Sequence, residues 1–281
     1  MTSTSSPADF SFSFQPVDEN LDMHQRWSTW LSVERSARGP EPRPDWLVTD
    51  DSAVDTELGV LKGGKEADVH LLHRASRTGL DRAVVMAAKR YRTHEHRTFH
   101  RSTAYTEGRR PTRNTRDARA MAKGTAHGRA VSSAHWAHAE WAALTTLWCG
   151  GLPVPYPVQI DGTEILMEYV SVDGAAAPRL AQSRPDADLL VSYERQLWEA
   201  MLALARRGWA HGDLSAYNVL AQGERLVLID LPQVVDVVAN PQGLDLLQRD
   251  CRNVCRWLRG KGADVDEDEW FGELVAEVFT R

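Results

Sequence analysis

The chain is poor in lysine. Only five of its 33 basic residues are Lys, at 62, 65, 89, 123 and 261, so any lysine that chemistry requires is one of very few. Three cysteines in 281 residues are too few and of the wrong parity for a disulfide framework, and they fit a reducing, cytoplasmic setting. No apolar run approaches the ~18 residues that span a bilayer, so no membrane span is expected. The opening "MTSTSSPADFSFSF" has neither a basic n-region nor an apolar h-region, so no signal peptide is expected.

What is present is an ordinary globular balance. Hydrophobic residues are 42% and charged residues 26%, which excludes bulk disorder, and the length suits one two-lobed domain or two small ones. The net charge of −6 is unevenly spread. Residues 90–129 hold eleven Lys/Arg and three Asp/Glu, a local balance of +8, so the rest of the chain carries −14. A basic block in an acidic protein suggests a polyanion contact, with RNA or a ribosomal particle as candidates, or a solvated loop.

Residues 1–17 are Ser/Thr-rich and expected to be disordered. Asp18 to Ala37 predicts an amphipathic helix on the spacing of Leu21, Trp27, Trp30 and Leu31, and a proline-rich linker follows to residue 44. From residue 45 onwards one domain is expected. Its first part, to about residue 167, reads as strands plus one helix. That helix is expected to start from a cap at Ser132 or Ser133 and to end at Gly150-Gly151. A polar insert, 93–131, interrupts this part. From about 171 to 281 helices predominate. The predicted class is α+β, a bilobal protein-kinase-like fold with a small β-rich N-lobe and a reduced helical C-lobe.

The chemistry concentrates at "HGDLSAYNVL", residues 211–220. Four residues separate Asp213 from Asn218, the spacing that holds a base and a metal ligand at one phosphate. Asp213 would accept or orient the proton of an attacking hydroxyl. Asn218 would bind a metal through its amide oxygen, and His211 would brace the loop. Downstream, "LVLIDLP" places Asp230 after a β-rich run as a second hard oxygen ligand for Mg²⁺ or Mn²⁺. Upstream, "GGKEADV" sits between two strands. It reads by itself as a hairpin turn, or as a phosphate cradle with Gly63, Gly64, Lys65 and Glu66 as contacts. It is not a Walker A loop, for it lacks that spacing and the following Lys-Ser/Thr.

Lys89 lies in the apolar strand "VVMAAKRY". It either reaches solvent or needs an acid, and Glu140, mid-helix among apolar neighbours, is the natural partner. Such a pair would aim the ammonium at the phosphates of ATP. "ILMEYV" reads as a strand entering an interlobe hinge. Backbone groups of Glu168 and Val170 could bond adenine there, with Met167 behind it. Only 51 residues follow Asp230. No Asp-Phe-Gly or Ala-Pro-Glu occurs, so an activation segment and a large peptide-gripping lobe do not fit.

Taken together, "GKEADV", Lys89, the polar insert, Glu140, "MEYV", "HGDLSAYNVL", "IDLPQVV" and "RDCRNVCRWL" resemble the RIO family of atypical serine/threonine protein kinases over about residues 45–260. Gly63 departs from the Ser or Thr usual there. The resemblance implies ATP and Mg²⁺ (or Mn²⁺) as cofactors, a protein substrate, and Asp213 as the catalytic Asp. It also implies metal binding by Asn218 and Asp230 and phosphate binding by Lys89. It further implies autophosphorylation and an acyl-phosphate on Asp230, with a cycle like that of a switching ATPase. Thr98, Ser102, Thr103, Thr106, Thr112 and Thr115 are the candidate hydroxyls in the insert.

Two rival readings remain. A small-molecule phosphotransferase of the aminoglycoside or choline type also uses His-Gly-Asp with an Asn five residues on. Only about forty residues separate Val170 from His211, however, which is little room for its substrate-binding helices. The other rival is a non-catalytic, ATP-dependent module on RNA or a ribosomal particle, motivated by the arginines.

Overall fold

A computed structural model of the protein describes residues 21–78, 82–92 and 126–280. The candidate hydroxyls at 98–115, most of the basic block and the first seventeen residues lie outside this set.

The N-terminal part is a six-stranded sheet. Its strands are β1 (Gln25–Trp27), β2 (Val54–Gly63), β3 (Ala67–Ala75), β4 (Ala83–Tyr91), β5 (Pro157–Asp161) and β6 (Glu164–Glu168). They lie in the order β1-β2-β3-β4-β6-β5, and every neighbouring pair is antiparallel. The alternation of β4 sorts its residues by face. Met86 and Ala88 are fully buried on one side, whereas Ala87, Lys89 and Tyr91 face a cleft on the other. Across the other face of this region runs a fully buried ion pair. Arg74 Nε donates to Asp55 at 2.6 Å, and Arg74 Nη2 donates to Asp55 at 2.9 Å and to Gln159 at 3.2 Å.

Helix α1 (Ala126–Cys149) packs on β4, β5 and β6. Its core residues are Ala137, Leu144 and Leu147. The C-terminal part holds α2 (Ala187–Ala205), α3 (Gly243–Lys261) and α4 (Glu267–Phe279). Asp186 caps α2 by accepting from the Leu189 amide at 2.9 Å, and Asp266 caps α4. Helix α3 stops at Gly262, whose φ of 101° closes the last turn. Two small hairpins and one antiparallel pair complete this part: the hairpins β7 (Ser171–Val172) with β8 (Ala175–Ala176) and β10 (Val219–Gln222) with β11 (Arg225–Leu228), and the pair β9 (Trp209–Ala210) with β12 (Val235–Asp236). One large core joins α1, α2, α3 and the β10–β11 hairpin. Burying each of its Leu side chains contributes about 1.5–3 kcal/mol.

Two expectations about elements are corrected. The described part of the proposed helix 18–37 is a short edge strand, a turn and a single 3₁₀ turn at Arg35–Ala37. Its apolar residues do not share a face: Trp30 is buried, while Trp27 and Leu31 are exposed. Pairing of β1 with β2 satisfies the backbone instead, and Ser28 N–H donates to the Ala53 carbonyl at 2.9 Å. Arg38 and Arg43 lie over the Trp30 ring. The second correction is the start of α1, which begins at Ala126 rather than at a serine cap. The Ser133 hydroxyl donates to the Arg92 carbonyl at 2.6 Å, so it ties the helix to the end of β4. Residues 126–131, assigned to the insert, are therefore helix.

Candidate active site

A cleft of about 570 Å³ lies between the sheet and the helical part. Its roof includes the β2–β3 turn, where Gly64 N–H donates to Asp68 at 3.3 Å. A Cβ on Gly64 would meet the Ala67 carbonyl at 2.5 Å, so this turn requires glycine. Gly63 has no such need, since a Cβ there would stand 3.5 Å from Asp68. Gly64, Lys65 and Glu66 line the cleft, as do Met167, Glu168 and Val170 at the linker between the parts. Gly63 is not among the lining residues. Burial, followed by the Asp230 charge, raises the Glu66 carboxyl above its ordinary range.

The centre of the site is a three-residue contact. Lys89 Nζ donates to Glu140 at 2.7 Å and to Asp230 at 2.8 Å. It thereby joins the sheet, α1 and the segment after β11. Burial alone would pull the Lys89 ammonium down, but the Glu140 and Asp230 carboxylates hold it well above its usual value. The Lys89 charge in turn lowers the Asp230 carboxyl, against burial. Asp230 adopts φ 67°, a left-handed backbone that costs a non-glycine residue roughly 1–2 kcal/mol, and the bond to Lys89 offsets part of that. The sequence did not single out Tyr91. Its hydroxyl donates to the second Glu140 oxygen, and burial with the Glu140 charge pushes the phenol well up, so it keeps its proton. The signal was available: Tyr91 is two residues from Lys89 on one strand and so shares its face.

Asp213 and Asn218 lie beside the cleft rather than in its lining. Asn218 Nδ2 donates to the Asp213 carbonyl at 2.9 Å and to its carboxylate at 3.3 Å. That orientation commits the nitrogen to Asp213 and leaves Oδ1 as the atom that the expected metal role would use. The Ile229 amide donates to the Asn218 carbonyl at 2.9 Å, extending the β10–β11 pairing and setting Asn218 beside Asp230. His211 is fully buried. Its Nε2 meets the Ile229 carbonyl at 3.1 Å, and the Asp213 amide donates to its Nδ1 at 3.4 Å. Those partners fit the tautomer with the proton on Nε2, and they give His211 the bracing role expected of it.

The strongest brace was not anticipated. Asp250 on α3 accepts from Gly212 N–H and Leu214 N–H, both at 2.7 Å, so its carboxylate grips the amides on either side of Asp213. Asn253 donates to the Leu214 carbonyl at 3.0 Å, and Arg249 donates to the Gly212 carbonyl. Its sequence signal is a lone acid within the apolar stripe Leu246, Leu247, Cys251, Val254, Cys255 and Leu258. Burial pushes the Asp250 carboxyl up to about 6, despite the two amide bonds.

At the hinge, one expectation narrows. Glu168 N–H donates to the Tyr156 carbonyl, and the Val170 carbonyl accepts from Ala177 N–H. The Glu168 amide is therefore not available to a base.

The donor set matches the chemistry expected of it. Hard oxygens of Asn218 and Asp230 suit a magnesium ion, and an apolar-walled cleft ending at Lys89 suits a nucleotide with its phosphates at the cation. Among the described residues no group of three His, Cys, Asp or Glu side chains forms a metal site.

A curled sheet over a helical part, with a Lys–Glu pair above and an Asp-x₄-Asn loop below, defines a protein-kinase-like phosphotransferase. A family model described as the RIO domain matches residues 74–270. The chain is 34% identical over 226 residues to the RIO-type serine/threonine-protein kinase Rio1 of Haloferax volcanii, covering 80% of this chain and 71% of that one. It is 30% identical over 144 residues to the serine/threonine-protein kinase rio1 of Dictyostelium discoideum, covering 51% of this chain and 25% of the other. The crystal structure of the Rio2 kinase–ADP/Mg²⁺–phosphoaspartate complex from Chaetomium thermophilum superposes with a TM-score of 0.54 at 22% identity, covering 80% of this chain and 63% of that one. The chain belongs to the RIO family of serine/threonine-protein kinases.

Proposed function

We propose that the protein transfers the terminal phosphoryl group of ATP to a protein hydroxyl and to itself. The observation that carries this reading is Lys89, held at once by Glu140 and Asp230 at the end of the cleft. A lysine so neutralised and buried has its ammonium aimed at a fixed point, where phosphate oxygens would take over one of its two partners. Asp213, gripped through its own loop, orients the incoming hydroxyl and takes its proton. Asn218 and Asp230 hold the divalent cation, which when bound offsets the charge of the phosphates. In the transfer the hydroxyl oxygen bonds to the terminal phosphorus as the bond to the leaving diphosphate breaks.

Asp230 would also receive the phosphoryl group. Lys89 keeps its carboxylate ionised and therefore nucleophilic, and the Chaetomium Rio2 structure is described as a phosphoaspartate complex. This supports an acyl-phosphate on Asp230 and a turnover that resembles an ATPase cycle. A reducing, cytoplasmic setting is part of the reading, supported by three free thiols, Cys149, Cys251 and Cys255. Among the described residues no helix is long and apolar enough to cross a membrane. RNA or a ribosomal particle, met through the basic block, completes the reading, and loss of a salt-dependent RNA affinity on deletion of 93–125 would support it.

The test uses labelled ATP with Mg²⁺ or Mn²⁺. Wild-type protein should label itself, with part of the label released by hydroxylamine. Asp213→Ala should cut transfer to hydroxyls at least about 100-fold, and Asp230→Ala should abolish the hydroxylamine-labile fraction. Undiminished labelling in both variants would refute the site, and brisk phosphorylation of aminoglycosides without self-labelling would favour the small-molecule reading.

A further inference from the structure

Lys62 and Arg179 are among the cleft cations that have no role in the mechanism above. Lys62 is on β2, two residues before the glycine turn, and Arg179 is in the helical part, just before the 3₁₀ turn at Leu180–Gln182. Both line the same cleft, from opposite sides. Lys89 differs from them in being doubly paired with carboxylates. Among the described residues, neither Lys62 nor Arg179 has a carboxylate within ion-pair distance. Arg179 spends one guanidinium nitrogen on a neutral group, the Tyr217 carbonyl of the catalytic loop.

The two charges act on one another. Burial lowers the Lys62 ammonium below its usual range, and Arg179 lowers it further, while Asp230 works in the opposite direction. Lys62 therefore stands within electrostatic reach of Arg179 on one side and of the Lys89–Asp230 pair on the other. Like charges facing each other across a cleft repel, and a polyanion placed between them removes that repulsion and replaces it with two attractions.

We propose that Lys62 and Arg179 form a two-sided clamp on the polyphosphate of the bound nucleotide, which makes affinity depend on phosphate charge and draws the two parts together. This rests on the nucleotide reading given above. The occupant is a nucleoside polyphosphate rather than another anion because the same cleft supplies apolar walls, Ala87, Met167 and Leu220, continuous with the cations. Arg179 further carries the signal to the catalytic loop, since its bond to the Tyr217 carbonyl is one residue from Asn218.

Calorimetric titration of the full chain with ATP, ADP and adenosine, each with Mg²⁺, tests this without reading turnover. Lys62→Met and Arg179→Met should each weaken ATP binding roughly five- to tenfold, the loss of one charge-assisted contact. ADP should lose less, and adenosine should bind as it does to the wild type. Lys62→Arg should restore most of the ATP affinity. The wild-type preference for ATP over adenosine should also shrink with added salt more steeply than in Lys62→Met. Unchanged ATP affinity in both Met variants would overturn the clamp and leave the nucleotide reading standing. Equal losses for ATP and adenosine would overturn it too, as a packing effect. A wild-type protein that binds no ATP at all would overturn both.

Discussion

At the scale of single residues, the site depends on carboxylates whose surroundings give them different tasks. Glu140 is buried and shared between Lys89 and Tyr91, so it positions and does not react. Asp230 is lowered by Lys89 and stays ionised. Asp250 is pushed up to about 6, well above its ordinary 3.8, so the folded protein binds more protons than the unfolded chain between those values. Its contribution to stability therefore falls as pH rises through that window and levels off above about 6. The catalytic loop needs the opposite state, because only the ionised carboxylate offers lone pairs freely to both Gly212 and Leu214 amides. Phosphoryl transfer is expected to fall as pH drops through about 6 while the fold is kept. Asp250→Asn, with one acceptor oxygen, should be slower by about tenfold at neutral pH and should lack that acid limb. Paired pH–rate profiles and circular dichroism check both statements. Lys89, Glu140, Asp213, Asn218 and Asp230 were legible in the sequence because chemistry restricts which residue types can serve. Tyr91 and Asp250 were not singled out, because a phenol and an acid announce nothing until their partners are known.

At the scale of elements, legibility followed periodicity. The strands from β2 to β6 and the helices α2, α3 and α4 carry period-2 or period-3.6 patterns strong enough to survive packing. The segment 18–37 carries a helical spacing as well, yet it forms an edge strand and turns. Trp30 gains more by burial under Arg38 and Arg43 than a short isolated helix could offer. The sheet is pinned across β2, β3 and β5 by the Asp55–Arg74–Gln159 cluster. Breaking a fully buried pair strands a charge, so Asp55→Ala should destabilise the protein by about 3–5 kcal/mol. The double replacement Asp55→Leu with Arg74→Met should recover much of that loss. Urea unfolding of the three proteins gives the comparison, and an Asp55→Ala midpoint equal to wild type would contradict it.

At the scale of the whole molecule, the cleft is walled by both parts, and its key contact, Lys89 to Asp230, crosses between them. A ligand that binds there stabilises the folded chain by mass action. Saturating ATP with Mg²⁺ should raise the unfolding temperature by about 2–6 °C, and the shift should shrink markedly in Lys89→Met. Differential scanning calorimetry reads this directly, and an unmoved transition at saturating nucleotide would speak against a site spanning the two parts.

The sequence by itself determined the fold class, the loop that carries Asp213 and Asn218, the acid Asp230 after the β-rich run and the Lys89–Glu140 pair. These follow from residue type, spacing and local periodicity, which are written along one dimension. Only the tertiary structure decided which groups brace them and which face the ligand. Asp250 meets the catalytic loop across 36 to 38 residues of chain, and Lys62 and Arg179 line one cleft only because two parts of the fold wall it. Such contacts join residues far apart in the chain, and folding alone brings them together.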